Sequence, residues 1–188
     1  SYDFVAQVSE YIDTLKPGLT ILHSTIPPGT TRQIGEIYPA ICHSPIRGVH
    51  PNLSEGIQTF VKVFGGVGAT PAASHFTHDL GIECEVYESS ITTEIAKLLD
   101  TSYYGVCIAW HDYASKLCDM HGVDFEEAQT HYNSTYNSGY TELGKPNVVR
   151  PTLISPEGSI GGHCIVPNAE ILRCELDSKL LEAVTDLK

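Results

Sequence analysis

The chain has 188 residues, 41% hydrophobic and 18% charged, an ordinary globular profile with room for one domain and part of another. Lys+Arg 11 against Asp+Glu 23 gives a net charge of −12, which argues against nucleic acid and anionic membrane as partners. No apolar run is long enough to span a bilayer, and the six cysteines follow no framework spacing, so a reducing, cytoplasmic compartment is expected. Cys118 and His121 lack a second close pair that would complete a zinc set.

Phe4, Val5, Val8, Tyr11, Ile12 and Leu15 recur at helical spacing, and Lys16-Pro17-Gly18 ends that predicted helix. Leu19 to His23 is a short β-prone run and reads as a buried strand. Ser24-Thr25-Ile26-Pro27-Pro28-Gly29-Thr30-Thr31 follows as a loop, with Thr30 or Thr31 expected to cap a helix running to Tyr38. Ile41 to Ser44 reads as a strand, Pro45 to Ser54 as a long irregular loop, and Phe60 to Phe64 as a third strand. Ala69 to Leu80 is a helix and Glu83 to Tyr87 a fourth strand, an alternation that predicts an α/β fold with a parallel-type sheet.

Gly65-Gly66-Val67-Gly68 lies between a strand and a helix, as a dinucleotide-binding loop would. Pro71 stands where the third glycine belongs, so a structural strand-to-helix turn is the favoured reading. From Ser90 to about Met120 one long helix is predicted, capped by Ser89 or Ser90 and ended by Gly122. At about 45 Å it suits a link between lobes or the seam of a homodimer. Glu94, Lys97 and Thr101 share one stripe of it, which is either a solvated ion pair or the polar face of a site. Residues 131 to 160 show little periodicity and read as a long loop, and Ala169 to Leu187 as a helix. Domain boundaries of 1–88 and 89–188 follow from this change of pattern.

Between them lies Gly161-Gly162-His163-Cys164-Ile165-Val166-Pro167-Asn168. The glycines permit close backbone approach, and Pro167 is expected to stop a helix from crossing the stretch. A thiol held there is a candidate nucleophile if positive charge or a helix N-terminus lies near; otherwise Cys164 is an ordinary cysteine on a turn.

In their order these stretches resemble the nucleotide-sugar dehydrogenases, the UDP-glucose, UDP-N-acetylmannosamine and GDP-mannose dehydrogenase family. Ser24 to Thr31 is similar to the family's loop beside the nicotinamide, Phe64-Gly65-Gly66 to its strand end, and Glu94-Ile95-Ala96-Lys97-Leu98 to the start of its central helix. Cys118 to Asp124 resembles that helix's end, and Gly161-Gly162-His163-Cys164-Ile165 its catalytic loop. The resemblance implies a partial Rossmann-like sheet followed by a long central helix and a small helical region like that of 6-phosphogluconate dehydrogenase. It implies NAD as cofactor, a nucleotide sugar as substrate, and oxidation of a sugar alcohol to the acid through Cys164. Lys97, Thr101 and Asn168 would complete the catalytic set. Ser24, Thr25, Pro27, Gly161 and Gly162 would meet the cofactor, and Pro45, Arg47 and Glu94 the substrate. No metal is implied.

The departures are specific. Asn168 stands where the family has an acid, Thr101 where it has Asn, and Ile46 where it has the glutamate of the substrate loop. Only the family's middle portion is matched, so a truncated or divergent dehydrogenase is expected. The alternative is a non-catalytic binding or oligomerisation module on the same fold.

Overall fold

A computed structural model describes residues 2–48, 51–154 and 164–186. The chain divides into two compact units, residues 1–99 and 100–188. The first contains α1 (Tyr2–Leu15), β1 (Thr20–Leu22), α2 (Thr30–Gly35), β2 (Ile41–His43), α3 (Leu53–Thr59), β3 (Lys62–Gly65), α4 (Ala69–Leu80), β4 (Cys84–Tyr87) and the start of α5 (Ser90–His121). The strands form one sheet in the order β1-β2-β3-β4. β1 with β2 and β3 with β4 are parallel, as the alternation of strands and helices predicts. β2 and β3 are antiparallel, a reversal that alternation alone does not reveal.

Successive β2 residues point to opposite faces of the sheet and fill two cores. Ile41 joins Ile12, Leu22, Ile26 and Ile34 on the side covered by α1 and α2. Cys42 joins Phe64, Ala69, Ala72 and Ala73 under α4. Burial on both faces explains why Leu19 to Leu22 reads as an unbroken strand signal rather than an alternating one.

The second unit contains the rest of α5, a π-helical turn at Glu126–His131, α6 (Tyr132–Glu142), a 3-10 turn at Pro146–Val148, α7 (Ile165–Glu175) and α8 (Lys179–Thr185). Its core is Ile165, Ala169 and Val184 against Val106, Ile108 and Leu181. Gly105 of α5 makes that packing possible. A Cβ there would stand 2.6 Å from Ile165 Cγ2 and 2.8 Å from Val184 Cγ1. α5 ends as the sequence implies, with Gly122 left-handed at φ 64° and the Val123 N–H returning to Cys118 O at 3.0 Å.

Four expectations change. Tyr132–Glu142 is helix rather than loop, and its hydroxyls take up local acceptors on their own turns: Ser134 Oγ donates to Thr130 O at 2.8 Å and Thr141 Oγ1 to Asn137 O at 2.9 Å. The stretch read as irregular before Ser54 gives way to α3 at Leu53. There Gly56 lets the backbone close on Arg47 O and Gly48 Cα, each 2.7 Å from where a Cβ would be. Pro167 does not stop a helix. It lies in the first turn of α7, where a missing N–H costs nothing, so the helix begins directly after Cys164. The final helical stretch is two helices, broken between Glu175 and Lys179.

Candidate active site

In the first unit the loop after β1 is fixed by a residue far along the chain. Glu94 is 1% exposed, and its carboxylate accepts the Gly29 N–H at 2.6 Å and the Thr31 N–H at 2.9 Å. A helix N-terminus offers unpaired N–H groups and a positive dipole end, and one carboxylate answers both. The expected capping by Thr30 or Thr31 is therefore replaced. The Thr30 hydroxyl donates to Pro27 O at 2.7 Å, and Thr31 Oγ1 is buried without a hydrogen bond among the described residues. Gly29 takes the left-handed conformation this geometry needs, at φ 89°. Both oxygens of Glu94 thus hold the Ser24–Thr31 loop. Ser24 itself is tied through its carbonyl to His43 Nε2 at 3.1 Å, Thr25 is half-buried, and Pro27 lines an open cavity of about 330 Å³ with Gly29, Arg32 and Glu36.

The Ser44–Arg47 stretch is held from beneath. Ser44 O accepts from His23 Nδ1 at 2.6 Å and from Lys62 Nζ at 3.2 Å, and Pro45 O accepts from the same ammonium at 3.0 Å. The Arg47 guanidinium donates to Val61 O and lies over the Phe60 ring, 5.3 Å from its centroid. Lys62 is 5% exposed, and burial, reinforced by the Arg47 charge, pushes its ammonium from the usual 10.5 down to about 8. The same burial raises the Cys42 thiol to about 11 and lowers the His23 and His43 imidazoles. No motif in the sequence singles out Lys62, His23 or His43. A signal for Lys62 was present, since alternation in Phe60-Val61-Lys62-Val63-Phe64 sets it on the same face as the fully buried Phe64.

At Gly65 and Gly68 the glycine turn after β3 is closed by neighbouring chain. A Cβ on Gly65 would meet Ser89 O at 2.7 Å, and one on Gly68 would meet Leu19 Cδ1 at 2.8 Å and the Ile41 carbonyl carbon at 2.9 Å. These glycines serve the packing of the strand ends, and the described residues offer no glycine cradle for the phosphates of a dinucleotide. Beside the turn, a cavity of about 440 Å³ is lined by Thr31, Arg32, Gly66 and Ser90 among others.

In the second unit Cys164 is exposed and occupies the N-cap of α7, its carbonyl accepting the Asn168 N–H at 3.2 Å. Asn168 is buried, and its Nδ2 has no hydrogen-bond partner among the described residues. An exposed thiol at a helix start is open to attack on a carbonyl carbon, whereas an amide beside it takes up no proton. Gly161, Gly162 and His163 lie outside the described residues. Lys97 and Thr101 are half-buried on α5, Lys97 in the first unit and Thr101 in the second. Among the described residues no cluster of three or more His, Cys, Asp or Glu is suited to a metal, and no helix is long and apolar enough to cross a membrane.

The sheet, its flanking helices and the long α5 define a Rossmann-type dehydrogenase fold. The UDP-D-ManNAc dehydrogenase of Pyrococcus horikoshii superposes with a TM-score of 0.67 at 22% identity, covering 90% of this chain and 41% of that one. A UDP-glucose dehydrogenase from Pyrobaculum islandicum gives 0.64 at 18% identity, over 90% of this chain and 40% of that one. In sequence, the UDP-N-acetyl-D-mannosamine dehydrogenase of Methanococcus vannielii is 27% identical over 168 residues, 87% of this chain and 36% of that relative. No protein-family model matches. The chain is thus similar to part of the nucleotide-sugar dehydrogenases, and it spans a little over a third of the length of the curated relative it matches.

Proposed function

We propose that this chain contributes to NAD-dependent oxidation of a UDP- or GDP-sugar alcohol to the acid, with Cys164 as the nucleophile. The observation that carries the reading is the exposed Cys164 thiol at the start of α7, in a sequence whose other motifs match the same dehydrogenases in order. Two molecules of NAD+, bound in turn, would each accept one of the two hydrides that leave the sugar carbon. The Cys164 sulfur adds to the intermediate aldehyde to give a thiohemiacetal, whose oxidation leaves a thioester that water opens to the carboxylate and the free thiol. Lys97 would steady the oxyanion, with Thr101 and Asn168 at the water. Ser24, Thr25 and Pro27, with Gly161 and Gly162, would meet the cofactor, and Pro45 and Arg47 the sugar nucleotide.

A homodimer through α5 belongs to the same proposal. Tyr103, Trp110, Tyr113, Leu117 and Met120 are exposed at heptad-compatible spacing along it, a stripe suited to a second copy.

Asn168 favours a second reading, a non-catalytic binding module, because an amide cannot serve as the base that activates water. Incubation with NAD+ and UDP-N-acetyl-D-mannosamine, read by intact mass and absorbance, separates the two. The dehydrogenase reading expects NADH formation that Cys164→Ser cuts short after the first oxidation, and faster acid release in Asn168→Asp. Absence of NADH and of any sugar adduct in both proteins supports the binding module.

A further inference from the structure

The loop that leaves β2 is clamped to the start of β3 at two points, and the clamp fixes which way one peptide group faces. Lys62 Nζ donates to Ser44 O at 3.2 Å and to Pro45 O at 3.0 Å, and His23 Nδ1 lies 2.6 Å from the same Ser44 O. At the far end the Arg47 guanidinium donates to Val61 O, the residue before Lys62. Ile46 lies between the two clamps. In a planar trans peptide the C=O and N–H point in opposite directions. Pro45 O is turned onto Lys62, so the Ile46 N–H is directed away from it. The Ser44–Pro45 peptide has no N–H to offer. Ile46 is half-buried, its side chain is apolar, and its N–H makes no hydrogen bond among the described residues. The ammonium beneath is 5% exposed and has no carboxylate within ion-pair distance among the described residues. Its Nζ lies 5.9 Å from the centroids of both the Phe64 and Phe76 rings. The titratable and charged groups that face it are Arg47, Cys42, Cys84, His23 and His43. A cation at the oxygen end of a peptide polarises it and strengthens its N–H as a donor.

We infer that Lys62 is a positioning residue for the Ser44–Arg47 loop: by holding the Ser44 and Pro45 carbonyls it aims the Ile46 N–H away from the sheet-borne ammonium as a free, polarised donor. Under the proposed function, on which this second step rests, that donor meets the sugar nucleotide beside Pro45 and Arg47. A donor strengthened by a buried cation suits an anionic oxygen, so it takes the diphosphate. The orientation of the peptide itself requires neither ligand nor turnover.

The test is NMR of the whole chain across a pH series, wild type against Lys62→Met and Cys84→Ser. As Lys62 loses its proton, the Ile46 amide and the Pro45 carbonyl carbon should shift together with a midpoint of about 8. Burial holds the His23 and His43 imidazoles below their usual range and the Cys42 thiol at about 11, so neither overlaps that step. Cys84→Ser should retain the titration and Lys62→Met abolish it. Wild type and Cys84→Ser decide the question by themselves if Lys62→Met does not fold. Added UDP-N-acetyl-D-mannosamine should move the Ile46 amide and uridine should not, with affinity about tenfold lower in Lys62→Met. An Ile46 amide that fails to titrate near 8 in wild type, or that titrates unchanged in Lys62→Met, overturns the inference. Binding of the sugar nucleotide that leaves Ile46 unmoved overturns it as well. No binding at all, with Ile46 still following Lys62, overturns the proposed function and leaves the positioning supported.

Discussion

Replacing Glu94 probes how the cofactor-side loop is built. Its carboxylate takes two backbone N–H groups, at 2.6 and 2.9 Å, from a site 1% exposed to solvent. Hydrogen bonds to a charged acceptor contribute about 1.5–3 kcal/mol each, and a buried N–H left unpaired costs about 1–3 kcal/mol. Glu94→Gln keeps one acceptor oxygen and turns an NH2 group toward the other N–H, so a loss of about 2 kcal/mol is expected. Glu94→Ala abandons both donors, and after allowing for relief of the buried charge about 3–4 kcal/mol should be lost. Urea titration by circular dichroism gives the stability, and hydrogen exchange at Gly29 and Thr31 gives the location. The expected order is wild type, then Gln, then Ala, with both amides exposed in Ala. An alanine variant within about 0.5 kcal/mol of wild type would refute capping of α2 by Glu94, since that is the spread of a neutral surface change.

Lys62 gives a prediction with a defined pH window. Its folded value, about 8, lies below the usual 10.5, so between these limits the unfolded chain binds more protons than the folded one. Stability therefore rises as pH climbs from about 8 to 10.5, and below that window the full cost of burying the ammonium is present. The stability difference between wild type and Lys62→Met should grow across the window by about 2 kcal/mol, allowing for solvent screening. Equal slopes in the two proteins would contradict it. For the α5 stripe, light scattering should give twice the chain mass, falling to the monomer in Trp110→Glu; a wild-type monomer at high concentration removes the dimer.

The parts of the fold legible in the sequence are those with apolar patterning and clear punctuation. Leu19 to His23, the spacing of α4 and the length of α5 follow directly from apolar patterning and glycine punctuation. α6 is not legible because Ser134, Thr135 and Thr141, whose hydroxyls bond to nearby carbonyls, are poor helix formers and supply no apolar period. Pro167 misled because the same residue stops a helix in its interior and starts one in its first turn. Cys164 stands out by chemistry and motif, whereas the long-range hydrogen bonds that fix the loop after β1 and the segment before residue 154 do not. Glu94 reaches Gly29 across 65 positions and His111 reaches Leu153 across 42, distances that local pattern cannot register.

The most direct measurement is a calorimetric titration of the chain with NAD+, alone and with UDP-N-acetyl-D-mannosamine present. Saturable heat that weakens in Glu94→Ala, where the Ser24–Thr31 loop is released, is the expected result. No heat under either condition would contradict the assignment of a cofactor-binding role to this chain.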